Sequence, residues 1–250
     1  MNIIEKKIIN NIIRDDNINN NNTIEQNEII NISINENTHK QTNDTNLFSH
    51  ILKRNPTCGL IIIDNFYNNP LETRKHILTQ DFSVIGNFPG QRTISYANQE
   101  LKDVIQSYVE PFAGKIIEFP CPNSDEKDTY NGAFQYTTSR DRSWIHTDKW
   151  NNWAGVLFLT PDAPLSGGTA FYRFKDGSTC EEDGKILNNK DEVDRFSQDL
   201  TKWEMLDRVG NVFNRLILFN ANRYHMSMDY FGDTKENGRL FQVFFFSTER

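Results

Sequence analysis

The chain has 250 residues and a formal net charge of -7, a size that suits one catalytic domain with an appendage, since β-rich domains often run to about 200–250 residues. The acidic balance and the lack of any Lys/Arg stripe argue against a nucleic-acid binder that works by neutralising phosphates. No stretch approaches the ~18 apolar residues of a membrane span, and the N-terminus has no continuous apolar h-region. The expectation is therefore a soluble, cytoplasmic protein that engages neither nucleic acid nor membrane. The composition says nothing of its oligomeric state.

In chain order, residues 1–46 come first as an Asn/Ile-rich arm, with Asn17-Ile18-Asn19-Asn20-Asn21-Asn22 at its centre and no aromatic residue, Gly or Pro. Such low complexity offers too little varied apolar surface to offset ordering entropy, so the arm is expected to be disordered. The folded domain is expected over 47–250. Gly59-Leu60-Ile61-Ile62-Ile63 reads as a buried strand. Asp64-Asn65-Phe66-Tyr67-Asn68-Asn69-Pro70 reads as a turn, with Pro70 opening a helix over Leu71–Gln80. A second helix is expected over Leu101–Phe112, with Leu101, Val104, Ile105, Tyr108 and Val109 on one face.

From Tyr130 the texture changes to short strands separated by Gly, Asn, Asp and Pro. Strands are expected at Ala133–Thr138, Arg142–His146, Ala154–Thr160, Thr169–Phe174, Asn211–Phe219, Arg223–Tyr230 and Arg239–Ser247. The polar stretch around 175–208, helix-compatible over Asp191–Leu200, reads as an insertion. Helices followed by many short strands imply an α+β fold whose strands close as a two-sheet sandwich or jelly roll. The cysteines Cys58, Cys121 and Cys180 are odd in number and widely spaced, which suggests reduced thiols.

Only two of the five histidines, His146 and His225, lie in the strand-rich half. His146 and Asp148 stand two apart at the end of an expected strand, so they project from the same side. His225 follows the apolar strand Leu216–Phe219 and its Asn220-Ala221-Asn222 turn. Two imidazoles and one carboxylate on one face of an octahedron leave three positions open, the arrangement of non-haem iron(II) centres. A His-x-Asp pair alone is weak evidence, and its ordered separation from His225 strengthens it. Downstream, Arg239 opens the strongly apolar strand Leu240-Phe241-Gln242-Val243-Phe244-Phe245-Phe246. It either snorkels to water at the strand mouth or pairs with a carboxylate through its planar fork.

Four segments then resemble the double-stranded β-helix 2-oxoglutarate oxygenases, in that family's order. They are His146-Thr147-Asp148, Ser166-Gly167-Gly168-Thr169-Ala170-Phe171-Tyr172, the Leu216–His225 strand and turn, and the Arg239 strand. The resemblance is closest to the prolyl-4-hydroxylase-like branch. Asp64-Asn65-Phe66-Tyr67 and Phe88-Pro89-Gly90-Gln91-Arg92-Thr93 look like the front of an uncharacterised phage and bacterial group within that branch.

What the resemblance implies is a jelly-roll (cupin-like) core with N-terminal supporting helices. Iron would be held by His146, Asp148 and His225, and the far carboxylate of 2-oxoglutarate by Arg239. Lys235 is the alternative anchor, and Tyr136 or its neighbour Gln135 a further hydrogen bond to the co-substrate. Fe(II), 2-oxoglutarate and O2 would be required, with ascorbate as an accessory reductant. The reaction would be hydroxylation of a small-molecule or peptide substrate, releasing succinate and carbon dioxide. Two other readings stand beside it: a non-catalytic cupin-like metal or small-molecule binding protein, and a viral or phage accessory structural protein.

Overall fold

A computed structural model describes residues 58–122, 129–148, 150–180 and 195–250. The Asn/Ile-rich arm over 1–46 and the first four residues, 191–194, of the helix expected around Asp191–Leu200 lie outside these residues; over 195–200 only a short helical turn at 195–196 is formed. Among the described residues ten strands are formed: β1 Leu60–Ile63, β2 Gln91–Arg92, β3 Ile116–Glu118, β4 Phe134–Thr137, β5 Trp153–Phe158, β6 Thr169–Phe174, β7 Trp203–Val209, β8 Leu216–Asn220, β9 His225–Ser227 and β10 Arg239–Thr248. Two helices accompany them, α1 Pro70–Ile77 and α2 Gln99–Ala113. Helical support N-terminal to the main strands amounts to these two among the described residues.

The larger sheet runs β1-β8-β5-β10-β4-β2, with β3 also on β10, and the smaller runs β7-β6-β9. All pairings are antiparallel. The strands β5, β8 and β10 are apolar on consecutive residues because both faces of their sheet are covered. Leu157, Leu216, Leu218, Leu240, Phe244 and Phe246 pack on one face with Ile77, Ile105 and Val109 of the helices. Ala154, Phe158, Ile217 and Phe219 face the barrel interior with Phe171 of the smaller sheet, and Phe241 and Val243 project there with Ala133. One buried polar contact crosses the helix side, where the Tyr67 hydroxyl donates to Gln242 Oε1 at 2.5 Å.

Helix α2 forms because Ile105, Val109 and Ala113 recur at four-residue spacing on one buried stripe. The Asn98 side chain caps it by accepting from the Leu101 amide at 2.8 Å, and Gly114 at φ 76° ends it. Two expectations are corrected. Arg142–His146 is not a strand; only His146 pairs, through a single bridge to His225. The segment expected as an insertion ends in β7, an edge strand whose residues 204–208 are exposed. Its polar outer face concealed its role in the smaller sheet.

Phe244 is fully buried between α2 and the sheet. Phe244→Ala should destabilise by about 3–5 kcal/mol and Asn98→Ala by about 1 kcal/mol, both read from urea unfolding midpoints.

Candidate functional site

The β8–β9 connection and the segment after Ile145 are clasped together. The His146 amide donates to the His225 carbonyl at 3.0 Å, the His225 amide returns the bond at 2.9 Å, and the Asp148 amide donates to Ala221 at 2.8 Å. This brings the two imidazole rings to 4.4 Å between centroids. His146 Nδ1 donates to the Trp144 carbonyl at 2.9 Å, and His225 Nδ1 donates to the Arg223 carbonyl at 2.8 Å. Each Nδ1 therefore carries the proton, and each Nε2 lone pair turns inward. Asp148 meets those lone pairs, its oxygens lying 3.2 Å from His225 Nε2 and 3.9 Å from His146 Nε2.

Lone pairs facing a carboxylate repel unless a proton or a metal cation sits between them. One donor atom from each residue lies within 4.8 Å of the others. His225 is buried under Phe219 and Phe171, whereas His146 and Asp148 are partly exposed, so ligands have one open side. Two nitrogens and an oxygen fit a divalent first-row ion with free coordination positions.

Among the described residues Arg239 is the largest fully buried side chain, at 0% exposure. Its Nε donates to the Gly167 carbonyl at 2.9 Å, while Nη1 and Nη2 have no hydrogen-bond partner. Its guanidinium carbon stands 4.3 Å from the Phe241 ring centroid and 5.4 Å from that of Phe158. Burial pushes its pKa down to about 10, so it remains a cation at neutral pH. The buried hydroxyls of Thr137, Thr169 and Tyr230 also have no hydrogen-bond partner; Thr137 is the cross-strand neighbour of Arg239, and Tyr230 interacts with it electrostatically. Orphaned donors on a buried cation are costly, and a carboxylate would satisfy both nitrogens at once. Lys235 is engaged elsewhere, donating to the Leu78 carbonyl at 2.7 Å beside Phe82.

Strand register places the remaining candidates. Gln135 lies opposite Phe241, on the face that carries Arg239, whereas Tyr136 lies opposite Leu240 on the helix side. The Tyr136 hydroxyl donates to Gln91 at 2.7 Å, so it is not brought to the site. Gln135 receives hydrogen bonds from Arg92, and Asp148 feels the charge of Arg92. Sequence reasoning did not single out Arg92 because cross-strand proximity to Gln135 leaves no trace in spacing.

Other positions sort plainly. Trp144 is 6.0 Å from the His146 ring, Trp150 is exposed and Trp153 is core. Arg140 and Arg142 are exposed. Gly167 and Gly168 form the expected tight turn, and a side chain at Gly168 would strike the Val209 carbonyl. His76, near the end of α1, contacts Gln80 in the turn that follows, while His39 and His50 lie outside the described residues. No disulfide joins the three cysteines, and among the described residues no helix is long and apolar enough to cross a membrane.

A family model described as "Family of unknown function (DUF6445)" matches residues 49–246. No curated protein matches the sequence. Among solved structures, HygX from Streptomyces hygroscopicus with nickel and 2-oxoglutarate bound superposes with a TM-score of 0.52 at 12% identity, over 77% of this chain and 84% of HygX. HygX with nickel, 2-oxoglutarate and hygromycin B bound gives the same TM-score of 0.52 and 12% identity, again over 77% and 84% of the two chains. A prolyl hydroxylase from Trichoplax adhaerens in complex with a hypoxia inducible factor peptide fragment superposes more loosely, with a TM-score of 0.42 at 14% identity over 80% and 88% of the two chains. At 12% identity the likeness to HygX is one of fold: two antiparallel sheets in a jelly-roll barrel.

Burial, followed by the charge of His225, holds the His146 imidazole below its usual value of 6.5. Burial pushes Asp148 up, but its interactions with His225, then His146 and Arg92, outweigh it and hold the carboxyl below 3.8. A lowered imidazole pKa gives stability that is complete above 6.5 and is lost as pH falls through the folded value. The Asp148 contribution is likewise complete above 3.8 and lost at more acidic pH. Urea midpoints of metal-free protein should therefore decline as pH falls below 6.5, and His146→Gln should flatten that decline.

Proposed function

The chain belongs to the DUF6445 family, and from its own site we propose that it is an iron(II)- and 2-oxoglutarate-dependent oxygenase that hydroxylates a C–H bond of an amino-acid or peptide substrate. The observation that carries the reading is the fully buried Arg239 with two unpartnered guanidinium nitrogens in the barrel that also presents the His146, Asp148 and His225 donors. A metal-binding barrel with no co-substrate has no use for such an arginine. The structure of HygX, which shares the fold, holds nickel and 2-oxoglutarate, and this supports the same pairing here.

In this reading His146, Asp148 and His225 hold the metal on one face, and their Nδ1 hydrogen bonds keep the rings aimed at it. Arg239 grips the far carboxylate of 2-oxoglutarate, and its stacking on Phe158 and Phe241 fixes the guanidinium plane before the ligand arrives. When bound, iron(II) and 2-oxoglutarate supply with O2 an oxidant for an unactivated C–H bond, releasing succinate and carbon dioxide. Phe171, Phe219 and Phe241 are buried in the apolar clusters on the interior side, and in this reading they would keep water from the reacting groups.

Purified protein given iron(II), ascorbate, 2-oxoglutarate and peptide or lysate pools should form succinate in an iron-dependent way, and His146→Ala should abolish it. Succinate no higher than in the His146→Ala control would sink the reading. Arg239→Ala should raise the half-saturating 2-oxoglutarate concentration by about 30-fold or more, the scale of a lost buried charge pair. Lys235→Ala should leave that concentration unchanged.

A further inference from the structure

We propose that Arg92 is a substrate anchor and that the substrate is a free carboxylic acid, a free amino acid being the simplest case. The proposal rests on the oxygenase reading and narrows its substrate class.

Arg92 is only 6% exposed. Its guanidinium carbon lies 3.7 Å from the Phe88 ring centroid and 4.8 Å from that of Tyr130, and those rings meet edge-on at 5.5 Å. The aromatic wall fixes the plane of the cation, which reduces the entropy lost on binding. Nε donates to Gln135 Oε1 at 2.8 Å, and Nη2 donates to the same oxygen. Gln135 is itself held by donating to the Pro89 carbonyl at 2.5 Å.

The partner of this buried cation is thus a neutral amide, and among the described residues Arg92 forms no ion pair. Burial lowers its pKa to about 10, so the charge persists at neutral pH and lacks a direct counter-ion.

Register sets Arg92 in a row with Gln135, Phe241 and Phe158 across the interior face of the larger sheet. Arg239 lies in the next row, opposite Thr137, and Asp148 is within electrostatic reach of Arg92 without pairing to it. The charges of the loaded barrel can be paired off. Asp148 and one 2-oxoglutarate carboxylate balance a divalent ion, Arg239 balances the other carboxylate, and Arg92 is left over. A single cation against an aromatic wall matches a monoanionic carboxylate. A phosphate generally gathers several cations or a nest of backbone amides. An interior peptide residue brings no such charge.

The test is saturation-transfer NMR on the full chain loaded with Ni(II) and 2-oxoglutarate under nitrogen. The probes are a mixture of the standard free L-amino acids and the matching C-terminal amides. One or more free acids should bind, and the matching amide should bind about tenfold more weakly or worse. Arg92→Gln should weaken the acid to a similar degree, and Arg92→Lys should recover part of the loss. Gln135→Glu preserves shape and gives Arg92 an internal carboxylate, so it should weaken acids without weakening amides. Equal binding of acid and amide, acid binding that survives both Arg92→Gln and Gln135→Glu, or no acid bound would each overturn the proposal. A purely structural Arg92 would affect acids and amides alike. The oxygenase reading fails separately, through absent iron-dependent succinate in the wild type.

Discussion

Two backbone hydrogen bonds hold the site together: the His146 amide to the His225 carbonyl, and the His225 amide back to His146. They join a segment with no regular structure to the edge of the smaller sheet, where β9 pairs with β6 through Phe171 and His225. Without this bridge, the His146–Asp148 segment would lose its register relative to His225. With it, the remaining geometry follows from carbonyl groups. Trp144 and Arg223 accept from the two Nδ1 atoms, and Ala221 accepts from the Asp148 amide. The donor set is positioned almost entirely by main chain, which is stiffer than a side-chain network and less sensitive to substitution.

The larger sheet supplies the opposite wall. Its central strands are apolar on both faces because helices cover one side and the barrel interior the other. Two arginines are set into this apolar framework, Arg239 with its terminal nitrogens unpartnered and Arg92 with only a glutamine oxygen. Each lowers the stability of the protein taken alone, since buried charge without a counter-ion is expensive. A fold that retains both places binding ahead of stability at these positions, as functional sites commonly do.

Much of this was legible in the sequence where chemistry and spacing coincide. His146, Asp148, His225 and Arg239 stand out because histidines are scarce in the strand-rich half and a guanidinium heading an apolar strand demands a reason. The strands β5, β6, β8 and β10 read clearly from apolar and β-branched runs. What stayed hidden depended on partners distant in the chain. The strand β7 looks like polar loop because it faces solvent along most of its length. Strand parity between Gln135 and Tyr136 is decided by their opposite numbers on β10. Arg92 becomes noticeable only once β2 lies beside β4.

The clasp also bears on chain entropy. His146 and His225 delimit a long loop, and bringing such ends together in a free chain costs roughly 4 kcal/mol on a logarithmic loop-length estimate. Folding has already met that cost before any ion arrives. A divalent ion held by both histidines would then favour the folded chain over the unfolded one by about a thousandfold from preassembly alone. Metal binding would in that way add to the stability of the folded chain.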